Sequence, residues 1–327
     1  MKRILFRADA KPSIGIGDLM SLINLSFYLN PREWECFFMI KSYPAAIKLV
    51  NRVRKRNIFF LDELISIESE VSEINRVVQI YGIDVLFFEI TEQRLSQYIG
   101  LVNNVKKACV NFNSYLLEDL DLVVNWDVEA DQYMCRSGAP NAKFLLGYEY
   151  VILPKQFYEL QERKYKDKIC KLLIAMGGAD EFDFTMKIVE VLIENNIEIG
   201  LNIIVGSGYE NKAQLEKALY KSQLNFTIKQ DVSNMLGEYI GCDLAIGAGG
   251  LTASELVASK TPALLIATYE HQISRCKFFS EKGFATYLGF RTFDKHQLIK
   301  SVKEPRKVLK DVFFNTQRII DEVYALV

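Results

Sequence analysis

Short apolar runs recur along the chain, separated by longer stretches in which apolar residues return at helical spacing. Ile4–Phe6, Cys36–Ile40, Ile58–Leu61, Val85–Phe88, Lys107–Asn111 and Leu122–Asn125 form one series of expected strands. Lys171–Ala175, Gly200–Val205, Asn225–Ile228, Leu244–Ile246 and Ala263–Ile266 form a second. Strands that alternate with helices imply parallel sheets joined by right-handed crossovers, so the pattern predicts an α/β protein of two doubly wound, Rossmann-like domains. The charged segment 161–168 falls between the two series, and the expected division is 1–153 and 154–327. Ligands of such sheets bind beyond the carboxyl ends of the strands, which makes a cleft faced by both domains the expected site. From Val302 to Val327, the residues Val308, Leu309, Val312, Phe313, Ile319, Ile320, Val323 and Leu326 keep helical spacing. One or two amphipathic helices packed on the core of the second domain are expected there. The aromatic pairs Phe59-Phe60 and Phe278-Phe279 read as core.

Composition narrows the class further. Half of the 327 residues are hydrophobic, and 40 Lys and Arg nearly balance 41 Asp and Glu, for a formal net charge of −1. No global field draws such a chain to nucleic acid or to an anionic membrane. The cluster Arg52, Arg54, Lys55 and Arg56 is a local exception and reads as a solvated helix end. Six cysteines stand singly with no CxxC pair, the pattern of buried reduced thiols. With no cluster of metal-ligand residues, neither a metal ion nor another cofactor is expected. The first residues open a strand at once and no apolar run reaches the length of a membrane span, so a cytoplasmic protein is expected. Oligomeric state is open.

Candidate chemistry concentrates at strand ends. Gly249, Gly250, Leu251 and Thr252 follow the apolar run ending at Ile246 and lead into a helix, where backbone amides and the helix N-terminus suit a diphosphate. Glu255, near the first turn of that helix, is placed to accept hydrogen bonds from a ribose diol. Met176-Gly177-Gly178-Ala179-Asp180 follows another strand, and the two glycine turns are expected to close on one diphosphate. Gly15 and Gly17 precede a helix over 19–29, with Asp18 expected at its N-cap, either as a catalytic base or simply as the cap. Asp180 carries the same two readings. Of the two histidines, His271 with Gln272 is a candidate contact to phosphate or sugar, and His296 reads as solvated.

Several of these segments together resemble a known family. Phe6-Arg7-Ala8-Asp9-Ala10 with Ile14–Gly17, the 144–150 segment ending in Tyr150, Met176–Asp180, and Gly249–Glu255 followed by His271-Gln272 are similar to the UDP-sugar hydrolases of pseudaminic acid biosynthesis. These are relatives of the spore-coat polysaccharide proteins and, more distantly, of the N-acetylglucosaminyltransferase that makes lipid II. The resemblance implies a glycosyltransferase-B fold, a UDP-sugar partner, and metal-free cleavage by water at the anomeric carbon with inversion; Tyr150 joins the nucleotide- and sugar-binding candidates on this ground alone.

The departures fall in the N-terminal half. Asp18 and Ser21 stand where the family has the histidine that activates water and an arginine. Glu89-Ile90-Thr91 replaces a strand-end Asp with His or Ser and Tyr, Asn111-Phe112-Asn113 replaces paired aspartates, and Pro154 replaces an arginine. Three readings follow. Asp18 takes over as general base and hydrolysis survives; or Asp18 or Glu89 activates another hydroxyl and the chain is a glycosyltransferase; or catalysis is lost and a nucleotide-sugar binding protein remains.

Overall fold

The computed structural model describes residues 1–10, 16–50, 57–89, 99–110, 119–134, 136–160, 163–206, 208–222, 224–304 and 312–327. Expectations for Gly15, the 52–56 basic cluster, Ile90-Thr91 and Asn111–Asn113 lie outside the described residues. The chain divides into two compact units, Met1–Lys155 with Phe313–Val327, and Gln156–Val312.

The first unit contains, in chain order, β1 (Lys2–Ala8), α1 (Gly17–Ser26), β2 (Trp34–Lys41), α2 (Pro44–Val50), β3 (Asn57–Leu61), α3 (Ile67–Tyr81), β4 (Val85–Glu89), β5 (Lys106–Val110), β6 (Leu122–Asn125), the single turn α4 (Ala130–Tyr133) and β7 (Lys143–Leu146). Its seven strands are parallel, in the order β3-β2-β1-β4-β5-β6-β7. Alternation along β1 sends Ile4, Phe6 and Ala8 into a cluster with Leu22 of α1 and Ala46 of α2. Leu5 faces the other way, into a cluster with Ile74, Val77 and Val78 of α3. The start of α3 is set by Ser66, whose hydroxyl accepts the Ser69 N–H at 3.2 Å. Its end is set by Gly82, in a left-handed conformation at φ 57° that a glycine adopts without strain.

The second unit runs β8 (Lys171–Ala175), α5 (Phe184–Glu194), β9 (Gly200–Val205), α6 (Lys212–Lys221), β10 (Phe226–Gln230), α7 (Met235–Ile240), β11 (Leu244–Ala248), α8 (Leu251–Ala258), β12 (Ala263–Ala267), α9 (Ile273–Glu281), β13 (Thr286–Phe290) and α10 (Lys295–Lys303). All six strands are parallel, in the order β10-β9-β8-β11-β12-β13. In both sheets the chain builds outward one way and then the other, so the order reverses between β1 and β4 and again between β8 and β11. Crossovers diverge there, and loops at the strands' carboxyl ends leave room for a ligand.

Two strands exceed the expected series. β7 has four residues, and β13 contains Gly289 at φ 148° and a register shift against β12, which breaks its apolar run. A second departure is α11 (Thr316–Ala325), which belongs to the first unit rather than to the second domain. Its Ile319, Ile320 and Val323 enter the cluster around Phe6 and Trp34, and Thr316 Oγ1 donates to the Val151 carbonyl at 3.0 Å. Phe313, expected on the buried face of a helix, lies outside any helix and is 65% exposed. The cysteines are free where described, but Cys170 is exposed rather than buried. Among the described residues no helix is long and apolar enough to cross a membrane, and no group of three or more His, Cys, Asp or Glu is placed to hold a metal ion.

Candidate functional site

At the β1–β4 reversal the first unit gathers charge. Arg7, fully buried near the end of β1, donates from Nη1 and Nη2 to the two oxygens of Asp9 at 2.6 and 3.0 Å, and from Nε to Glu70 of α3 at 2.7 Å. Burial disfavours the guanidinium, and the two carboxylates more than repay it, so its pKa is raised. Beside this network stand Asp18 and Glu89. The helix begins at Gly17 with Ile16 as its cap, so Asp18 is the second helical residue and not the expected N-cap. Its own backbone N–H is the donor that lowers its pKa. Burial, followed by repulsion from Asp9, outweighs that bond and pushes the Asp18 carboxyl up to about 6. Glu89, the last residue of β4, is buried, and its Oε2 has no hydrogen-bond partner among the described residues. Burial first and the Asp18 charge second hold its pKa well above the usual carboxylate range. Two acids with raised proton affinities thus stand at one end of the sheet, next to an aspartate neutralised by arginine. Ser21 is buried in the first turns of α1, and Gly17 has open space on its Cβ side.

In the second unit two glycine turns flank the β8–β11 reversal, and they differ. After β8, Gly177 takes φ 92°, and the Gly178 carbonyl accepts the Gly208 N–H at 3.1 Å. Asp180, itself at φ 45°, accepts from the N–H groups of Phe184 and Thr185 at 2.9 and 2.8 Å. Asp183 accepts from Tyr209 Oη at 2.7 Å and Asn211 Nδ2 at 2.9 Å. Asp180 therefore claims the first two amides of α5, which is the capping reading of this residue. After β11, Gly250 caps α8 without a side-chain acceptor, leaving the helix's N-terminal positive end to a ligand. A Cβ on Gly249 would lie 2.5 Å from Cys276 Sγ and 2.9 Å from Gln272 Cβ, so only glycine fits.

The loop after β12 closes on this turn. Gln272 is buried, its Oε1 accepting from Thr268 N and Oγ1 at 2.9 and 3.0 Å, while Nε2 lies 3.5 Å from where a Gly250 Cβ would be. Arg275 of α9, also buried, donates from Nη1 to the Gly249 carbonyl at 3.2 Å. A trans peptide points its N–H opposite its carbonyl, so this contact turns the Gly250 N–H away from Arg275. Leu251 and Thr252 are half-buried in the first turn of α8. The helix opens at Leu251, so Glu255 is its fifth residue, just past the first turn; its Oε2 accepts from the Tyr239 phenol at 2.7 Å, and burial pushes its carboxyl up to about 7. His271 is exposed and stacks on Tyr269 with ring centroids 5.9 Å apart, and Tyr269 Oη donates to Glu181 at 2.9 Å. His296 is exposed, as expected.

The structure therefore groups Gly249, Gly250, Leu251, Thr252, Glu255 and Gln272 at one place in the second unit, and Asp18 with Glu89 at one place in the first. Tyr150 packs against the first unit's core. Sequence reasoning missed Glu70, Tyr239 and Arg275. The interruption of the apolar run of β1 by Arg7 was the available sign that a buried counter-charge exists.

Residues 172–318 match the glycosyltransferase family 28 C-terminal domain. The spore coat polysaccharide biosynthesis protein SpsG of Bacillus subtilis is 26% identical over 152 residues, which is 46% of this chain and 44% of that protein. The Helicobacter pylori protein described as pseudaminic acid cytidylyltransferase and UDP-2,4-diacetamido-2,4,6-trideoxy-beta-L-altropyranose hydrolase is 28% identical over 153 residues, 47% of this chain and 27% of that one. The matched part is thus less than half of each of these curated relatives. The crystal structure of Acinetobacter baumannii MurG superposes with a TM-score of 0.69 at 14% identity, covering 99% of this chain and 100% of that one. The fold is glycosyltransferase-B. Both parallel sheets are included in that superposition, while the matches to curated relatives fall short of half the chain.

Proposed function

We propose that the chain acts on a nucleotide-linked amino sugar in the biosynthesis of a polysaccharide or nonulosonic acid, with UDP as the nucleotide, and cleaves it at the anomeric carbon without a metal ion. The observation that carries the reading is the pairing of Asp18 with the buried Glu89, whose Oε2 has no hydrogen-bond partner among the described residues, at the end of the first sheet. Neighbouring buried carboxyl groups with raised proton affinities are candidates for acid and base roles. The second unit supports the nucleotide half: amides of Gly250, Leu251 and Thr252 take the diphosphate, Glu255 the ribose, and Gln272 and His271 the phosphate or sugar. Gly15, Gly17 and Tyr150 belong to the sugar side; Gly177 and Gly178 shape the neighbouring loop. The family 28 match and the relatives named for polysaccharide and pseudaminic acid biosynthesis agree with this reading.

In the hydrolytic form, water attacks the anomeric carbon as Asp18 takes its proton. The bond from that carbon to the diphosphate oxygen breaks, UDP leaves with the electron pair, and the sugar inverts. An Asp18 carboxyl at about 6 is largely ionised at neutral pH yet more basic than an ordinary aspartate, which suits a base. Burial and the Asp18 charge bias Glu89 toward its protonated form, in which it serves as a hydrogen-bond donor to the sugar or the attacking water. Transfer to a sugar hydroxyl is the second reading, favoured by the match to a glycosyltransferase domain; the same base then acts on that hydroxyl.

Proton NMR of the protein incubated with UDP-linked amino sugars separates these. Free UDP with an inverted reducing sugar, lost on the order of 100-fold or more in Asp18→Asn, identifies a hydrolase with a carboxylate base. UDP release only when a hydroxyl acceptor is present identifies a transferase. Saturable binding with no turnover under either condition leaves a nucleotide-sugar binding protein.

A further inference from the structure

The contact behind Glu255 has a consequence for substrate class. Tyr239, on α7, is fully buried, and its phenol donates to Glu255 Oε2 at 2.7 Å. The phenol is held firmly. The Tyr239 carbonyl accepts from Arg163 Nη1 and from Thr261 Oγ1, each at 3.1 Å. Arg163 is in turn fixed on Thr261 Oγ1 at 2.8 Å and on the Cys242 carbonyl. The ring packs on Phe157 with centroids 6.3 Å apart. Burial and the Glu255 charge keep the phenol protonated, so it is a donor at any pH the protein meets. One oxygen of Glu255 is therefore permanently engaged from inside the unit. Glu255 itself remains partly exposed, on the same face of α8 as Leu251 four residues before it and Thr252 three before it.

We propose that Tyr239 is a positioning residue that makes the nucleotide site select ribonucleotide-linked over deoxyribonucleotide-linked sugars. By fixing Oε2 it presents Oε1 of Glu255 as a preset acceptor for a ribose hydroxyl. The inference rests on the reading that the Gly249–Glu255 segment binds a nucleoside diphosphate. A site built around a hydroxyl discriminates against the analogue lacking it, because the acceptor is then left unpaired. A preset acceptor loses less freedom on binding than one that must first be ordered.

The test is calorimetric titration of the full chain with UDP and with 2′-deoxy-UDP, for the wild type, Tyr239→Phe and Glu255→Gln. The wild type should prefer UDP by about tenfold, the worth of one hydrogen bond. Tyr239→Phe should cut the preference below about threefold while leaving 2′-deoxy-UDP affinity within about twofold, a split that a merely structural role of the phenol does not produce. Glu255→Gln keeps an oxygen for the phenol but turns an NH2 toward the ribose, and should lose the preference as well; this arm decides the matter if Tyr239→Phe does not fold. An unchanged ratio in a folded Tyr239→Phe overturns the inference and leaves the nucleotide site standing. Failure of the wild type to bind either compound overturns the nucleotide reading itself, and the inference with it.

Discussion

The two glycine turns of the second unit look alike in sequence: each follows an apolar strand, carries two adjacent glycines and opens a helix. Their helix termini differ in who occupies them. At α5 both oxygens of Asp180 are bonded to the Phe184 and Thr185 amides, and the loop is tied to the next one through Gly208, Tyr209 and Asn211. At α8 the cap is Gly250, which has no side chain to offer, while Gln272 and Arg275 pack behind the turn. A glycine turn at a helix start becomes an anion site only where the chain leaves the amides unclaimed.

Substituting the glycines breaks the comparison most directly. Gly249→Ala puts a methyl into Cys276 and the stem of Gln272, and should weaken UDP binding at least tenfold and cost about 1–3 kcal/mol of stability. Gly178→Ala, with nothing within 4 Å of the added Cβ, should leave UDP affinity within about twofold. Equal losses at both positions, measured by calorimetry and thermal melting, would mean that both turns hold the nucleotide.

The same contrast separates Asp180 from Asp18, both of which lie within two residues of a glycine near a helix start and both of which have carboxyl groups raised first of all by burial. Asp18, in the first turn of α1, has its folded-state pKa raised to about 6 from an ordinary 3.8. A raised carboxyl binds protons more tightly folded than unfolded, so its ionisation costs stability as pH climbs through roughly 4 to 6, and the cost persists above that window. Asp18→Asn should therefore be more stable than the wild type at pH 7–8 by about 1–3 kcal/mol and gain little at pH 4, even as activity is lost. Denaturant melts across pH check this, and a destabilised variant at pH 7 would show that Asp18 is structural. Asp180→Ala should behave in the opposite way. Loss of the cap should cost about 0.5–2 kcal/mol, with UDP affinity unchanged.

How much of this was legible in the sequence follows from range. The parallel order and most strands were legible because a buried strand announces itself in five apolar residues; β13 escaped because Gly289 and a register shift interrupt it. Whether an aspartate caps a helix depends on a shift of one or two residues in where the helix begins, which no local pattern fixes. Arg7 with Glu70 and Tyr239 with Glu255 are 63 and 16 residues apart, so neither pairing carries a local signature. The chemistry was visible as residue types at strand ends, and their partners became visible only once the sheets had set the neighbours.

The smallest expected effect concerns Glu255. Burial lifts its carboxyl to about 7 and the Tyr239 bond holds it from going higher, so near neutral pH it is divided between acid and carboxylate. The carboxylate is the stronger acceptor for a ribose hydroxyl, and hydroxyl binding favours it further. UDP affinity should therefore rise a few-fold between about pH 6 and pH 8. The terminal phosphate titrates near pH 6 as well and would mask this in UDP alone. The ratio of UDP to 2′-deoxy-UDP affinity cancels the phosphate, which both carry, and should itself rise through pH 7 if Glu255 reads the ribose. A ratio flat from pH 6 to 8, in a protein that binds UDP, would place the ribose against some other group and leave α8 with the diphosphate alone.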